Sequence, residues 1–266
     1  MGHVSGSLRR VGKRILNLAG GLSFAAMVCA GATEPRVAEL YLAEAPPLSQ
    51  LGQAGNHGIV GEVTVKAASL AGYDLHLVSI PWSRAQLTVR SNRDYLIIPL
   101  SRTPDREASY TWIAPIATMD RAFFSLDQRV DTFDQARRTF KRIAVGRGSA
   151  QEQKLRDEGF SEEQIYPLKI GDNPAQMLLL GRVDAWFNGV PETLYIWPEV
   201  SDRPLRMSPA LMVTDLYLAC SKTCDERMVR RLKAAVEGMR RDGTIQRLLH
   251  AGATPGVYQG IYDIKH

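Results

Sequence analysis

The chain has 266 residues, 45% hydrophobic and 23% charged, a composition that fits a globular protein and excludes a low-complexity or disordered one. Its 33 Lys and Arg outnumber 28 Asp and Glu, but four of the basic residues, Arg9, Arg10, Lys13 and Arg14, fall in the first thirty-two positions, which hold no acidic residue. Removing those four leaves 29 basic against 28 acidic residues, so the charge gives no support to nucleic-acid binding.

The basic cluster is followed by an apolar stretch from Ile15 to Val28, softened by Asn17, Gly20, Gly21 and Ser23, and then by Ala30-Gly31-Ala32. That order predicts a secretory signal peptide over residues 1–32, cleaved near Ala32, and a periplasmic mature protein. A permanent anchor is disfavoured, because the run is shorter than the ~20 residues of a spanning helix and no basic stop-transfer cluster follows it. Val28 stands before Cys29 where lipoprotein processing wants a small residue, and Arg9-Arg10 is a weak sign of twin-arginine export. The remainder is long enough for one large domain or two small ones.

After this segment, Val37 to Ala43 reads as a strand ended by Pro46-Pro47, and a loop punctuated by Gly52, Gly55 and Gly58 follows. Val60, Val63, Ala67, Leu70 and Ala71 recur at helical spacing, with Gly72 as the stop. Next come a strand from Leu75 to Ile80, a helix opened by Pro81-Trp82 and ending near Asn92, and a buried strand from Tyr95 to Leu100. Thr103 is expected to cap a short helix whose first residue is Pro104. Ala122 to Leu126 reads as a strand, Asp131-Thr132 starts a helix, and the strand Arg142 to Gly146 runs through Arg147-Gly148-Ser149 into a helix over Gln151 to Glu158, closed by Gly159. A strand from Ile165 to Ile170, a helix from Asp172-Asn173-Pro174 to Gly181, a strand from Val183 to Phe187 and a short helix from Pro191 to Trp197 follow. The chain ends with an apolar strand, Leu211 to Cys220, and one helix from Glu226 to Leu249 carrying Met228, Leu232, Ala235 and Met239 on one face. The alternation predicts α/β layers with largely parallel sheets.

Loss of the leader leaves two cysteines, Cys220 and Cys224. In an oxidising compartment they read first as a disulfide, since a helical turn or a strand-to-helix corner would bring their Cα atoms within reach. Free buried thiols are the second reading and a metal site the last, because no His or further Cys accompanies the pair. His57, His76, His250 and His266 are scattered, there is no phosphate-binding P-loop and no nucleophile elbow, and no cofactor is expected.

Several stretches in fixed order, Pro81-Trp82-Ser83-Arg84-Ala85, Ser101-Arg102-Thr103-Pro104-Asp105-Arg106-Glu107, Ala114-Pro115-Ile116, Val145-Gly146-Arg147-Gly148-Ser149, Leu179 to Ala185 and Asp242-Gly243-Thr244, resemble bacterial extracellular solute-binding proteins of family 3. Those are the receptors of polar amino acid ABC importers. The resemblance implies a type II periplasmic binding fold, in which two α/β lobes are joined by two crossing strands as a hinge and the ligand sits between them. Its expected division is residues 33–119 for the first part of lobe 1, 120–209 for lobe 2, and 210–266 for the return to lobe 1 with the C-terminal helix. Hinge positions are expected near Ala117 to Arg121 and Met207 to Met212. The implied partners are a small-molecule ligand and an inner-membrane ABC permease, with the protein itself a monomer.

A small carboxylate must be held by charge-assisted bonds, and Arg offers a planar fork matching two oxygens. Arg106 matches the family's carboxylate-binding arginine, with Ser101 adding a hydroxyl or backbone donor and Thr103 assigned mainly to capping. Gly148 and Ser149, at a strand-to-helix turn, can present an N–H and a hydroxyl to the same anion. Trp82 stands where the family packs a residue against the ligand; a core role fits it equally well. The acid that many amino acid binders use for the ligand's ammonium falls on Gly189, in Asn188-Gly189-Val190-Pro191-Glu192; Pro99 replaces a small residue and supplies a carbonyl but no N–H; and Ala45 stands where an aromatic is often seen. A standard α-amino acid is therefore disfavoured unless Glu44, Asn188 or Glu192 supplies the charge. The sequence predicts a binding protein rather than an enzyme. The alternatives are a cyclohexadienyl-dehydratase-like enzyme on the same scaffold, with Glu192 or Glu44 as its acid, and a periplasmic sensor or partner subunit.

Overall fold

The computed structural model describes residues 1–3, 36–52, 56–251 and 259–264. The chain divides into two compact units, Met1–Glu34 and Pro35–His266, and the fold is that of the second. Beyond its first three residues the expected signal peptide lies outside the described residues, and among these no helix is long and apolar enough to cross a membrane.

Three parallel strands open the unit: β1 (Arg36–Leu42), β2 (Tyr73–Ser79) and β3 (Leu96–Ser101), with β1 between the other two. Parallel neighbours need a crossover, and helices α1 (Ile59–Leu70) and α2 (Trp82–Ser91) supply it. Pro99 interrupts β3, where the pairing register shifts between Ile97 and Leu100; without an N–H it cannot complete the ladder. After a 3₁₀ turn at Pro104–Ser109, strand β4 (Tyr110–Ser125) runs for 16 residues, roughly 50 Å of chain. The first half of β4, which the sequence did not suggest as strand, pairs antiparallel with β9 (Met212–Ser221). These are the two crossing strands, and they extend beyond the expected hinge segments.

The second lobe is built from β5 (Ile143–Gly146), β6 (Ile165–Leu168) and β7 (Ala185–Gly189), with β7 against the far half of β4. Helices α3 (Phe133–Thr139), α4 (Ala150–Asp157), α5 (Pro174–Leu179) and α6 (Val190–Ile196) connect them. Thr132, Ser149 and Asn173 accept the N3 backbone N–H of α3, α4 and α5, which is why these helices start where the sequence placed them. Strand β8 (Arg206–Met207) joins the end of β4, and the full order β2-β1-β3-β9-β4-β7-β5-β6 mixes parallel outer strands with an antiparallel centre.

The single expected C-terminal helix is two, α7 (Glu226–Arg241) and α8 (Thr244–Ala251). Gly243 takes φ +73°, which ends α7, and Asp242 Oδ1 accepts the N–H of Thr244 at 2.9 Å to start α8. Met228, Leu232, Val236 and Met239 are the buried face of α7, so the core residue is Val236 and Ala235 packs at its edge. A short strand β10 (Ile261–Tyr262) returns to β4. Cys220 at the end of β9 is disulfide-bonded to Cys224 before α7, with Cα atoms 6.1 Å apart.

The first lobe's core gathers Leu40, Val60, Ile98, Ile116, Leu218 and Leu232 from β1, α1, β3, β4, β9 and α7. The second lobe's core centres on Phe123, stacked on Phe187 at 4.5 Å and met edge-on by Phe133. Such aromatic pairs add about 0.5–1.5 kcal/mol beyond the area they bury.

Candidate functional site

The sequence order Thr103-Pro104-Asp105-Arg106 makes a 3₁₀ turn rather than an α-helical one, and the hydroxyl of Thr103 caps nothing: it is buried without a hydrogen-bond partner among the described residues. What the turn does is carry Arg106 inward. Arg106 is 8% exposed, and its guanidinium donates Nη1 to the backbone oxygen of Ser101 at 3.3 Å and Nη2 to the backbone oxygen of Gly148 at 3.0 Å. Asp105 reaches it only at 3.9 Å. Burial lowers the Arg106 pKa, and Asp105 and Tyr110 oppose that effect.

Gly148 lies in the other lobe, so this bond spans the cleft. Its oxygen also accepts from Gln86 Nε2 of α2 at 2.8 Å. Gly148 has φ +71°, and a Cβ there would lie 2.5 Å from Ser83 Oγ, so glycine is what lets the turn meet α2. Its N–H is donated to Glu152 Oε2 at 2.5 Å, while Ser149 Oγ accepts from Glu152 N at 3.2 Å. Of the two groups expected to face an anion, the Gly148 N–H is engaged at the start of α4, while the Ser149 hydroxyl acts there as an acceptor.

Ser101 faces a different arginine. Its Oγ accepts from Arg121 Nη2 at 2.7 Å, and Arg121 Nη1 donates to Thr214 Oγ1 at 2.7 Å and to the oxygen of Met119 at 3.3 Å. Arg121 is 1% exposed and ties β3, β4 and β9 together; burial brings its pKa down to about 10, and Glu192 is the leading charge opposing that. Neither Arg121 Nε nor Glu192 Oε2 has a hydrogen-bond partner among the described residues.

Glu192 occupies the first turn of α6, just after Gly189 ends β7. A Cβ on Gly189 would overlap Glu192 Oε2 and lie 3.0 Å from Met119 Sδ, so the carboxyl of Glu192 fills the place of a side chain on residue 189. The residue is half-buried overall while its Oε2 is fully buried. Burial pushes the carboxyl up from 4.5 to about 7, against the pull of Arg121 and a backbone hydrogen bond from Gly189. Asn188 is buried and donates Nδ2 to Thr193 Oγ1 at 3.3 Å. Glu44 accepts from the backbone N–H of Leu51 at 3.0 Å.

Two cavities are lined by residues of both lobes, including those next in sequence to Gly148. One, about 290 Å³, lies between Glu44-Ala45-Pro46 of the first lobe and Ser149, Leu168, Trp186, Asn188 and Glu192 of the second. The other, about 670 Å³, is lined by Trp82, Ser83, Arg147, Tyr166 and Lys169. Trp82 is also 6% exposed and packed with Tyr41, Val89 and Tyr110, so core and cleft share it. Arg106, Ser101 and Pro99 line neither.

Gln86, Arg121 and Trp186 were not singled out for the site in the sequence. Gln86 follows Trp82 by one helical turn, which was a usable signal. Arg121 showed itself as a charge inside an apolar strand, a residue that burial forces into partnership.

This mixed sheet with a long crossing pair and a cleft between lobes is the type II periplasmic binding fold. No protein-family model and no curated protein matches the sequence. Among solved structures, a histidine kinase sensor domain with similarity to periplasmic binding proteins aligns with a TM-score of 0.76 at 16% identity, over 87% of this chain and 99% of that one. EhuB in complex with hydroxyectoine aligns at 0.74 and 16%, over 83% and 89%. The substrate binding protein of an amino acid ABC transporter aligns at 0.70 and 16%, over 81% and 98%. Their fold is shared by this chain, and it is the fold that the family 3 resemblance implied.

Proposed function

We propose that this protein is an exported solute-binding protein that takes a small carboxylate-bearing solute, an amino acid or related organic acid, between its lobes and presents the closed form to an inner-membrane ABC permease. The observation that carries this reading is Arg106: a buried guanidinium at the lobe boundary whose acceptors are two neutral backbone oxygens and whose nearest carboxylate stands at 3.9 Å. A buried cation so weakly compensated is improved by an anion that arrives with a matching pair of oxygens. A ligand carboxylate would replace the Gly148 oxygen and bridge Arg106 to the Gly148-Ser149 turn, with Ser101, Trp82, Pro99 and Asn188 around it.

The cleft is read as binding rather than catalytic, since among the described residues no acid or base is hydrogen-bonded to Glu192 or to Glu44 to form a pair. A screen of amino acids and organic acids by thermal shift tests the reading. Stabilisation of the wild type by at least one of them, lost in Arg106→Ala, is expected; ligand stabilisation of equal size in both would overturn it. A second reading, the sensing half of a receptor complex, draws on the likeness to the histidine kinase sensor domain. Co-purification with a permease or with a membrane receptor separates the two.

A further inference from the structure

We propose that the C-terminal strand β10 is a third hinge element, a strap fixed to the first lobe that bears on the second lobe at Val190 and restrains its rotation. The observation that carries this is how one edge of β4 is shared. Thr118 and Met119 pair with Tyr262 and Ile261 of β10, whereas Arg121 to Ser125 pair with Gly189 to Ala185 of β7. Between them, the N–H of Asp120 donates to the oxygen of Gly260 at 2.7 Å. The edge thus passes from an element packed on the first lobe to an element of the second, inside the expected hinge segment Ala117 to Arg121.

The strap is anchored on one side and butted on the other. Ile261 is buried in the first lobe's core, with Met119 and Leu249. Asp263 Oδ1 accepts from Arg240 Nε of α7 at 2.9 Å, and Nη2 of the same guanidinium donates to the backbone oxygens of Pro115 and Ile116 at 2.9 and 3.1 Å. One arginine therefore ties α7, β4 and the strap together. On the other side Gly260 has φ +80°, and a Cβ there would lie 2.6 Å from the Cβ of Val190 and 3.2 Å from that of Asp120. Val190 opens α6 and packs with Ala122 and Phe124, so it moves with the second lobe. A two-stranded ribbon twists more than a wider sheet, and a third strand at the bending point stiffens it. Rotation of the second lobe about Asp120 moves Val190 against a backbone that leaves no room for a methyl group.

The test is a distance across the cleft mouth, measured by electron spin resonance between nitroxides on Arg84→Cys of the first lobe and Lys169→Cys of the second. Both positions are exposed, and the Cys220–Cys224 disulfide is left oxidised. Without added ligand, this parent is compared with Ile261→Ala/Asp263→Ala, which loosens the anchor, and with Gly260→Ala, which disturbs the contact with Val190. Both should shift the distance distribution to longer values and broaden it. Thermal melts establish that each variant is folded, and Asp263→Asn, which keeps Ile261 in the core, replaces the double variant if that one is not. Distributions that superimpose on the parent's in the folded variants would overturn the restraint and leave the Arg106 site untouched. A shift in the anchor variant with none in Gly260→Ala would overturn the role of the Val190 contact.

Discussion

Arg106 in the first lobe donates Nη2 to the backbone oxygen of Gly148 in the second at 3.0 Å, a contact between residues 42 positions apart that closes the cleft on itself. The same oxygen takes Gln86 Nε2, so one carbonyl of the β5–α4 turn meets two side chains of the first lobe. An anion that displaces this carbonyl exchanges a neutral acceptor for a charged one.

From that contact, Arg106→Ala should leave the unliganded protein folded and remove ligand-induced stabilisation. Arg106→Lys should keep part of it, because an ammonium supplies the charge without the planar fork. Melting curves with and without the best compound of the screen check both, and full stabilisation of the alanine variant would reject the assignment.

Gly148→Ala should be destabilising. The positive φ costs a side chain about 1–2 kcal/mol, and the new Cβ meets Ser83 Oγ at 2.5 Å. Adding Ser83→Gly should relieve the contact and leave the backbone term, so urea unfolding of the single and double variants ought to give a partial rescue. No difference between them would mean the lobes separate freely at this point.

Glu192 has a defined pH signature. A carboxyl raised from 4.5 to about 7 in the folded state contributes stability that is fully present below pH 4.5 and is lost as pH rises through about 7. Glu192→Gln, which cannot ionise, should therefore gain on wild type across that window, with the two differing least at its acidic end. Parallel melts from pH 4.5 to 8 measure it, and superimposable profiles would show that the carboxyl ionises in the folded state as easily as in the unfolded chain.

The Cys220–Cys224 disulfide predicts that protein prepared without reductant is two hydrogens lighter than its reduced form and resists alkylation until reduced. Two thiols reactive before reduction would contradict it.

Local signals were readable in the sequence. Ser149, Asn173 and Thr132 each cap the helix they were expected to start, Pro81-Trp82 opens α2, and the two cysteines sit four residues apart at a strand-to-helix corner. Where the reading failed locally, geometry explains it: Thr103 precedes a 3₁₀ turn that leaves its hydroxyl no N–H to accept, and Gly243 breaks the last helix by taking a left-handed conformation. The first half of β4 was not recognised because Pro115 interrupts its alternation and its pairing with β9 shifts register on either side of that residue.

The departure at Gly189 has a different meaning in three dimensions. Read along the chain it is a missing negative charge; in the fold, the carboxyl three residues later fills the vacated space. Capping, alternation and the arginine-bearing turn depend on neighbours within a few residues, so the amino-acid order determines them by itself. Arg121 with Ser101 and Thr214, Arg106 with Gly148, and Gln86 with the same oxygen join residues 20 to 93 positions apart, and they meet because β9 and β4 insert between β3 and β7. Strand order is a long-range packing outcome, which is why the sequence could single out Arg106, Ser101 and Gly148 but not Gln86 or Arg121, nor the bonds that join them.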